Sequence, residues 1–314
     1  MCDTIEEKHK GDPVRRKLNE DIELFYEFWE SKKEAKGAVL LVHGMAEHIL
    51  RYQNFANFLT DSGYHVYGYD QRGHGQTAGD LENVGFFAER DGWDKVVNDV
   101  KSMIEFVKKS HDLPVVLMGH SMGSFISRDF TSRYSHMIDG LILSGTGYKS
   151  GLQGQIMIGY GQLEVALRGA RHQSKTIDRM TGNVFNSKFK PLRTPFDWLS
   201  RDPNEVDKYI DDPYCGTVFT SSFYVSLFKA VERVNKIDNV SKIRKDLPVY
   251  LFSGESDPVG SHGAGVKSVY GLMSSANISN VSMKLYPEGR HEMLNETNKA
   301  EVFNDVHEWL NKTI

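Results

Sequence analysis

At 314 residues, with 39% apolar and 25% charged residues, the chain has the make-up of a globular protein long enough to bury roughly three quarters of its unfolded surface. A formal charge of −4, with Lys and Arg scattered rather than striped, lacks the footprint that a nucleic-acid backbone requires. Two cysteines, Cys2 and Cys215, are too few for a disulfide framework; no apolar run approaches the roughly 20 residues of a membrane span, and the first twenty residues lack the apolar centre of a signal peptide. The expectation is a cytoplasmic protein with reduced thiols and no stable membrane insertion, although a peripheral encounter with lipid stays open.

Taken along the chain, Ile22–Trp29 reads as an antiparallel first strand or hairpin arm. Apolar runs rich in Val, Leu, Ile and Tyr follow at Ala38–Val42, His65–Tyr69, Val115–Met118, Gly140–Leu143, Val249–Phe252 and Val281–Tyr286. Helix-length patterns lie between them at Tyr52–Ser62, Trp93–Ser110, Met122–Tyr134, Gly263–Ser275 and Lys299–Asn311. Strand and helix in alternation predict a mostly parallel sheet with helices on both faces. The alternation stops from Tyr148 to Lys245, where only two apolar helical stretches stand out, Leu152–Leu167 and Phe223–Ile237. A structureless loop of that length does not suit a compact domain. The expectation is a core of residues 1–147 and 246–314, with 148–245 inserted as a helical cap over the carboxyl edge of the sheet.

Gly119-His120-Ser121-Met122-Gly123 falls between a strand and a helix, the context in which G-x-S-x-G carries meaning. The tight turn exposes the serine hydroxyl, and the helix that follows aims its free N–H groups at the reacting oxygen. Ser121 is therefore the candidate nucleophile. A developing oxyanion needs two donors. Met122 supplies one backbone N–H, and the loop His43-Gly44-Met45 after an earlier strand supplies the other from Met45. Among twelve histidines, His291 is chosen because it leaves the last strand at the same sheet edge, and Ser, acid, His is the chain order this fold expects. Asp257, held extended before Pro258, is the acid that orients it, with Glu255 in the same loop as the competitor.

Other clusters read as structural. His43, Glu47 and His48 lack the spacing of a metal site. Asp70 to Gly75 suits loop bracing, Gly145-Thr146-Gly147 misses the dinucleotide pattern, and Cys215 reads as a buried small hydrophobe.

Four stretches, LLVHGMAEHILRYQNFANFLTDSGYHVYGYDQRGHGQT, GHSMGS, SGESDPVG and LYPEGRHEMLNE, resemble the monoglyceride lipase and lysophospholipase group of α/β hydrolases, close to the serine aminopeptidase-type enzymes. The resemblance runs from about Gly37 to Leu310 and is weakest across the cap. It implies an α/β-hydrolase fold with an eight-stranded sheet and a cap, hydrolysis of carboxylic esters of small molecules or lipids, and Ser121, Asp257, His291, Met45 and Met122 in the roles already given. No metal or organic cofactor is implied. The same triad serves a peptidase or thioesterase, and a ligand-binding protein without turnover is the rival from another class. Ile156, Ile158, Leu163, Val165, Phe223, Val225 and Leu227 are expected to hold the acyl chain. Arg168, Arg171, Lys175, Asp178 and Arg179 are expected to face solvent or a polar head group and to shorten the pocket towards short and medium chains.

Overall fold

The computed structural model describes residues 15–19, 22–148 and 151–314. Eight strands form one sheet in the order β1-β2-β4-β3-β5-β6-β7-β8. They are β1 Arg15–Asn19, β2 Ile22–Trp29, β3 Gly37–Val42, β4 Tyr64–Tyr69, β5 Val115–His120, β6 Gly140–Ser144, β7 Val249–Gly254 and β8 Val281–Tyr286. β1 and β2 join antiparallel, and from β4 to β8 the sheet is parallel. The predicted first strand is thus one arm of a hairpin with β1, and the six predicted core strands all form, several of them one or two residues longer.

The side-chain period of two explains why the core strands read as continuous apolar runs. In β3, Ala38, Leu40 and Val42 enter one core, while Val39 and Leu41 enter the other. In β5, Val115 and Leu117 divide from Val116 and Met118 in the same way. On the first face lie α2 (Gly92–Ser110), α3 (Met122–Tyr134) and α9 (Ala264–Ser275); on the second lie α1 (Gln53–Asp61) and α10 (Lys299–Thr313). Each large apolar side chain buried in these layers stabilises by about 1.5–3 kcal/mol.

From β3 the chain builds β4 on one side, then crosses to place β5 on the other. This reversal opens a crevice at the carboxyl ends of neighbouring strands, where α/β sheets bind ligands.

Among the described residues between β6 and β7 the chain forms helices and a single antiparallel bridge, Gln173 with Thr220: α4 Gly151–Arg168, α5 Lys175–Phe185, α6 Pro203–Asp211, α7 Ser221–Val234 and the single turn α8 Ile237–Val240. α5 and α6 are additional to the two predicted stretches. Their starts obey local rules: Ser174 accepts from the Ile177 N–H, and Asp202 accepts from Asn204 with Pro203 in the first turn. α4 packs on α7 at Gly161, where a Cβ would press to 2.7 Å from a Val225 methyl. Its inward face is Ile158, Gly161 and Glu164, so Leu152, Ile156, Leu163 and Leu167 face outward and are exposed. Among the described residues, no helix is long and apolar enough to cross a membrane.

Candidate active site

β5 delivers Ser121 into a turn with φ 51° and ψ −119°, a backbone conformation rare for a side-chain-bearing residue and found at sites where strain is held by surrounding structure. Two glycines make the turn possible. A Cβ on Gly119 would collide with the Gly123 carbonyl and the Ser127 hydroxyl, and one on Gly123 with the carbonyls of Val42 and His43. The Ser121 N–H donates to the Ser144 carbonyl at 2.9 Å, tying the turn to β6, and the Ser121 carbonyl accepts from Ser124 N–H at 2.9 Å as α3 begins.

β3 pairs with β5 in register, Val42 opposite Gly119, so the loop after β3 lies beside this turn. Gly44 N–H donates to the Glu47 carboxylate at 2.6 Å, and the Ala46 carbonyl accepts from Gly216 N–H at 3.0 Å. Among the described residues, no protein acceptor takes the N–H of Met45 or of Met122. Both residues line the cavity that Ser121 enters.

β7 and β8 are likewise neighbours, and their loops bring His291 and Asp257 together, Nδ1 to Oδ1 at 2.9 Å. Both side chains are buried. Asp257 also accepts from the Ser253 hydroxyl at 2.6 Å and the Val259 N–H at 2.9 Å. Burial pushes the Asp257 carboxyl up, but His291 and these donors more than offset it and leave the group below its ordinary value. Burial pushes His291 down, and the Asp257 carboxylate outweighs it and leaves the imidazole above its ordinary value. Glu255, the competing carboxylate, is exposed and has no contact with His291 among the described residues.

Several neighbours escaped the sequence reading. The rings of Trp198 and His120 lie 5.0 and 4.7 Å from His291. His291 and Glu292 donate their N–H groups to the carbonyls of Trp198 and Leu199, at 3.4 and 2.8 Å, binding the histidine loop to the inserted helices. Arg51 bridges two carboxylates: Nη1 reaches Glu47 and Glu292 and Nη2 reaches Glu292, each at 2.7 Å. Tyr52 OH donates to Glu47 at 2.8 Å and Asn295 donates to Glu292 at 3.0 Å. The loop after β3 and the histidine loop are thereby fastened to one guanidinium. The signal available in sequence was faint: Glu47 and Arg51 four apart, and an acid directly after His291.

The clusters read as structural have partners that account for them. His43 Nε2 accepts from Gln71 N–H at 3.0 Å, which leaves the proton on Nδ1 for the Gly44 carbonyl at 2.8 Å. Burial pushes this imidazole down to about 3. His48 pairs with Asp212 at 2.8 Å, and Glu47 with Arg51. Asp70 accepts from the N–H groups of Ile49 and Gln76 at 2.8 and 2.7 Å, bracing two loops. Cys215 is a buried free thiol, and Cys2 lies outside the described residues.

The cavity of about 1040 Å³ lies at the upper end of small-molecule pockets. Its lining is apolar at Phe125 and at Tyr224, Leu227, Phe228 and Val231 of α7, and polar at Lys175, Arg179, Asn183 and Lys190 of α5 and the segment after it. Of the seven residues expected to hold an acyl chain only Leu227 lines it. Ile156 and Leu163 face solvent, Phe223 joins the core, and Ile158 is buried away from the cavity. The charged residues do face outward as expected: Arg168 and Arg171 are exposed and outside the cavity, and Lys175 and Arg179 are exposed residues that also line it. The helical period turned these residues to faces that composition could not assign.

A family model described as serine aminopeptidase, S33, matches residues 33–298. The monoglyceride lipase of Mus musculus is 26% identical over 93% of this chain and 88% of that protein. The monoacylglycerol lipase of Mycolicibacterium smegmatis is 26% identical over 92% and 93%. Among solved structures, a thermostable carboxyl esterase from Bacillus coagulans, in complex with glycerol, superposes with a TM-score of 0.89 at 25% identity, covering 96% of this chain and 98% of that one.

Proposed function

Since the chain belongs to the serine aminopeptidase S33 family of α/β hydrolases, we propose that it hydrolyses carboxylic esters, and specifically monoacyl lipid esters, through an acyl-enzyme. One observation carries this reading: the buried His291–Asp257 pair opens into the same cavity as the strained Ser121 and the two unpartnered amides of Met45 and Met122. His291 takes the proton of Ser121 as its oxygen attacks the ester carbonyl. The two amides receive the oxyanion, and the alcohol leaves with the proton held on His291. Water, deprotonated by the same imidazole, then releases the acid. Asp257 keeps the Nε2 face of His291 turned to the reaction and stabilises the imidazolium. The insert 148–245 acts as the cap that shapes the site, and the unpaired Cys215 thiol fits a cytoplasmic setting.

The walls favour an ester over an aminopeptide. An α-ammonium group needs a free carboxylate, but of the cavity's acids Glu47 and Glu292 share Arg51, and Asp178 accepts from Tyr224 OH at 3.2 Å. The relatives named as monoglyceride and monoacylglycerol lipases support the same choice.

The test is Ser121→Ala. It should abolish hydrolysis of monolauroylglycerol and labelling by a fluorophosphonate, with unchanged circular dichroism. Turnover at the wild-type rate in this variant would remove Ser121 as nucleophile.

A further inference from the structure

We propose that His48, Asp212 and Cys215 form a binding site for a divalent transition-metal ion, zinc above all, which clips the insert to the loop after β3. Among the described residues, this is the one group of three His, Cys, Asp or Glu side chains whose ligand atoms all lie within 4.8 Å of one another. The three stand apart from Ser121, Asp257 and His291 and do not line the cavity.

Backbone geometry prepares the two ligands that the insert provides. Asp212-Pro213-Tyr214-Cys215 is a turn closed by the Cys215 N–H on the Asp212 carbonyl at 3.0 Å, with Asp and Pro in positions that such turns favour. Its spacing is that of the Cys-x-x-Cys pairs of structural zinc sites. The Tyr214 N–H donates to Asp212 Oδ1 at 2.9 Å, which fixes the carboxylate with Oδ2 at 2.8 Å from His48 Nε2. Gly216, next in the chain with φ 65°, donates its N–H to the Ala46 carbonyl at 3.0 Å. The turn is therefore already seated on the loop that carries His48, across 164 positions of sequence.

Charge favours a cation here. Cys215 is a buried free thiol beside Leu199 and Tyr209. Burial pushes this thiol up; Arg51 pulls it down, and Asp212, Glu47 and Glu292 add to the rise. Three carboxylates against one guanidinium leave a negative field around the sulfur. A divalent ion reverses the balance. The Cys215 S–H proton passes to solvent, the sulfur–metal bond forms, and the thiolate and the Asp212 carboxylate together cancel the two charges of the ion. Neutral His48 is the third donor. This N, O and S set suits zinc, whereas calcium and magnesium take oxygen ligands. The His48–Asp212 hydrogen bond has to open by only about 0.5 Å to reach tetrahedral spacing around zinc. Both of these side chains are partly exposed, so water reaches the fourth position.

The experiment uses the full chain, treated with a chelator and titrated first with cobalt(II) and then with zinc. Cobalt should produce the near-ultraviolet thiolate-to-cobalt charge-transfer band, and zinc should displace it. Cys2→Ala should keep the band and Cys215→Ala should lose it. Zinc at about 100 times its Kd should raise Tm by about 5 °C. His48→Gln and Asp212→Asn should each weaken zinc binding by at least about tenfold, the least that loss of even an indirect partner costs a metal site. Should one variant fail to fold, the other two read the same site. A band that survives Cys215→Ala, or zinc binding that none of the three substitutions weakens, would overturn the proposal. So would a wild type that gives no band with cobalt, which would leave His48 and Asp212 as a hydrogen-bonded pair and Cys215 as packing.

Discussion

Arg51→Met removes the guanidinium that holds the loop after β3 to the histidine loop while keeping most of the side-chain length. Glu47, Arg51 and Glu292 have side chains only 4%, 11% and 6% exposed, so water cannot replace the lost partner. Burial pushes the Glu292 carboxyl up and Arg51 more than offsets this, holding it below its ordinary value. Breaking a buried pair from one side costs about 3–5 kcal/mol, because the remaining charge stays buried. Here two carboxylates are left facing one another. For a chain of this size the loss corresponds to roughly 6–10 °C in Tm.

The deficit depends on pH in a defined direction. In wild type the depressed Glu292 pKa gives stability that is full above the unfolded carboxylate value and lost as pH falls through the folded one. In Arg51→Met that contribution is already gone, so the gap between the two proteins should narrow below about pH 4.3. Activity should fall as well, in kcat more than KM, since Gly44 N–H hangs on Glu47 and Glu292 follows His291 directly. Thermal denaturation across pH, with p-nitrophenyl butyrate kinetics, reads both effects. Adding Glu292→Gln should recover part of the stability, because only Glu47 then keeps a charge, with Gly44 and Tyr52 still donating to it. Strict additivity in this cycle, or an Arg51→Met variant within about 0.5 kcal/mol of wild type, would refute the clamp.

In the proposed mechanism His291 must be neutral to accept the serine proton, so kcat/KM should rise with pH through a single midpoint above 6.5, the ordinary histidine value. Asp257→Asn should slow turnover by about three to four orders of magnitude and move that midpoint downwards, because burial is then opposed only by the weaker pull of Glu292 and Glu47; an unmoved midpoint would show that Asp257 does not set the charge on His291. Gly123→Ala should cost about 1–3 kcal/mol in urea denaturation and disable the site, since the new methyl meets the Val42 and His43 carbonyls, which no rotamer change can relieve. Across p-nitrophenyl acetate, butyrate and octanoate, kcat/KM should climb as the α7 wall fills, by at most about 0.8 kcal/mol per CH₂. Leu227→Asp should flatten that climb, and an unaltered slope in this variant would place the acyl chain elsewhere.

Order along the chain was legible because it rests on local rules. Continuous runs such as Val115–Met118 mark strands covered on both faces, and a serine flanked by glycines between strand and helix has few uses other than a tight exposed turn. Even α5 and α6 carry local start signals in Ser174 and Asp202-Pro203, although they lack the apolar runs that mark the other helices. The bringing together of Asp257 and His291 was inferable only because adjacent parallel strands end at one edge. What the sequence could not assign was direction around a helix axis and partnership across long separations. Ile156 and Leu163 look like pocket residues by composition, but the close approach of α4 to α7 at Gly161 turned them outward. Glu292 finds Arg51 across 241 positions, and Lys175 and Arg179 come to line one cavity with Ser121 and His291 only in the folded chain. A side chain's chemistry belongs to its residue, but the dielectric around it and the charge opposite it are set by parts of the chain that no local pattern connects.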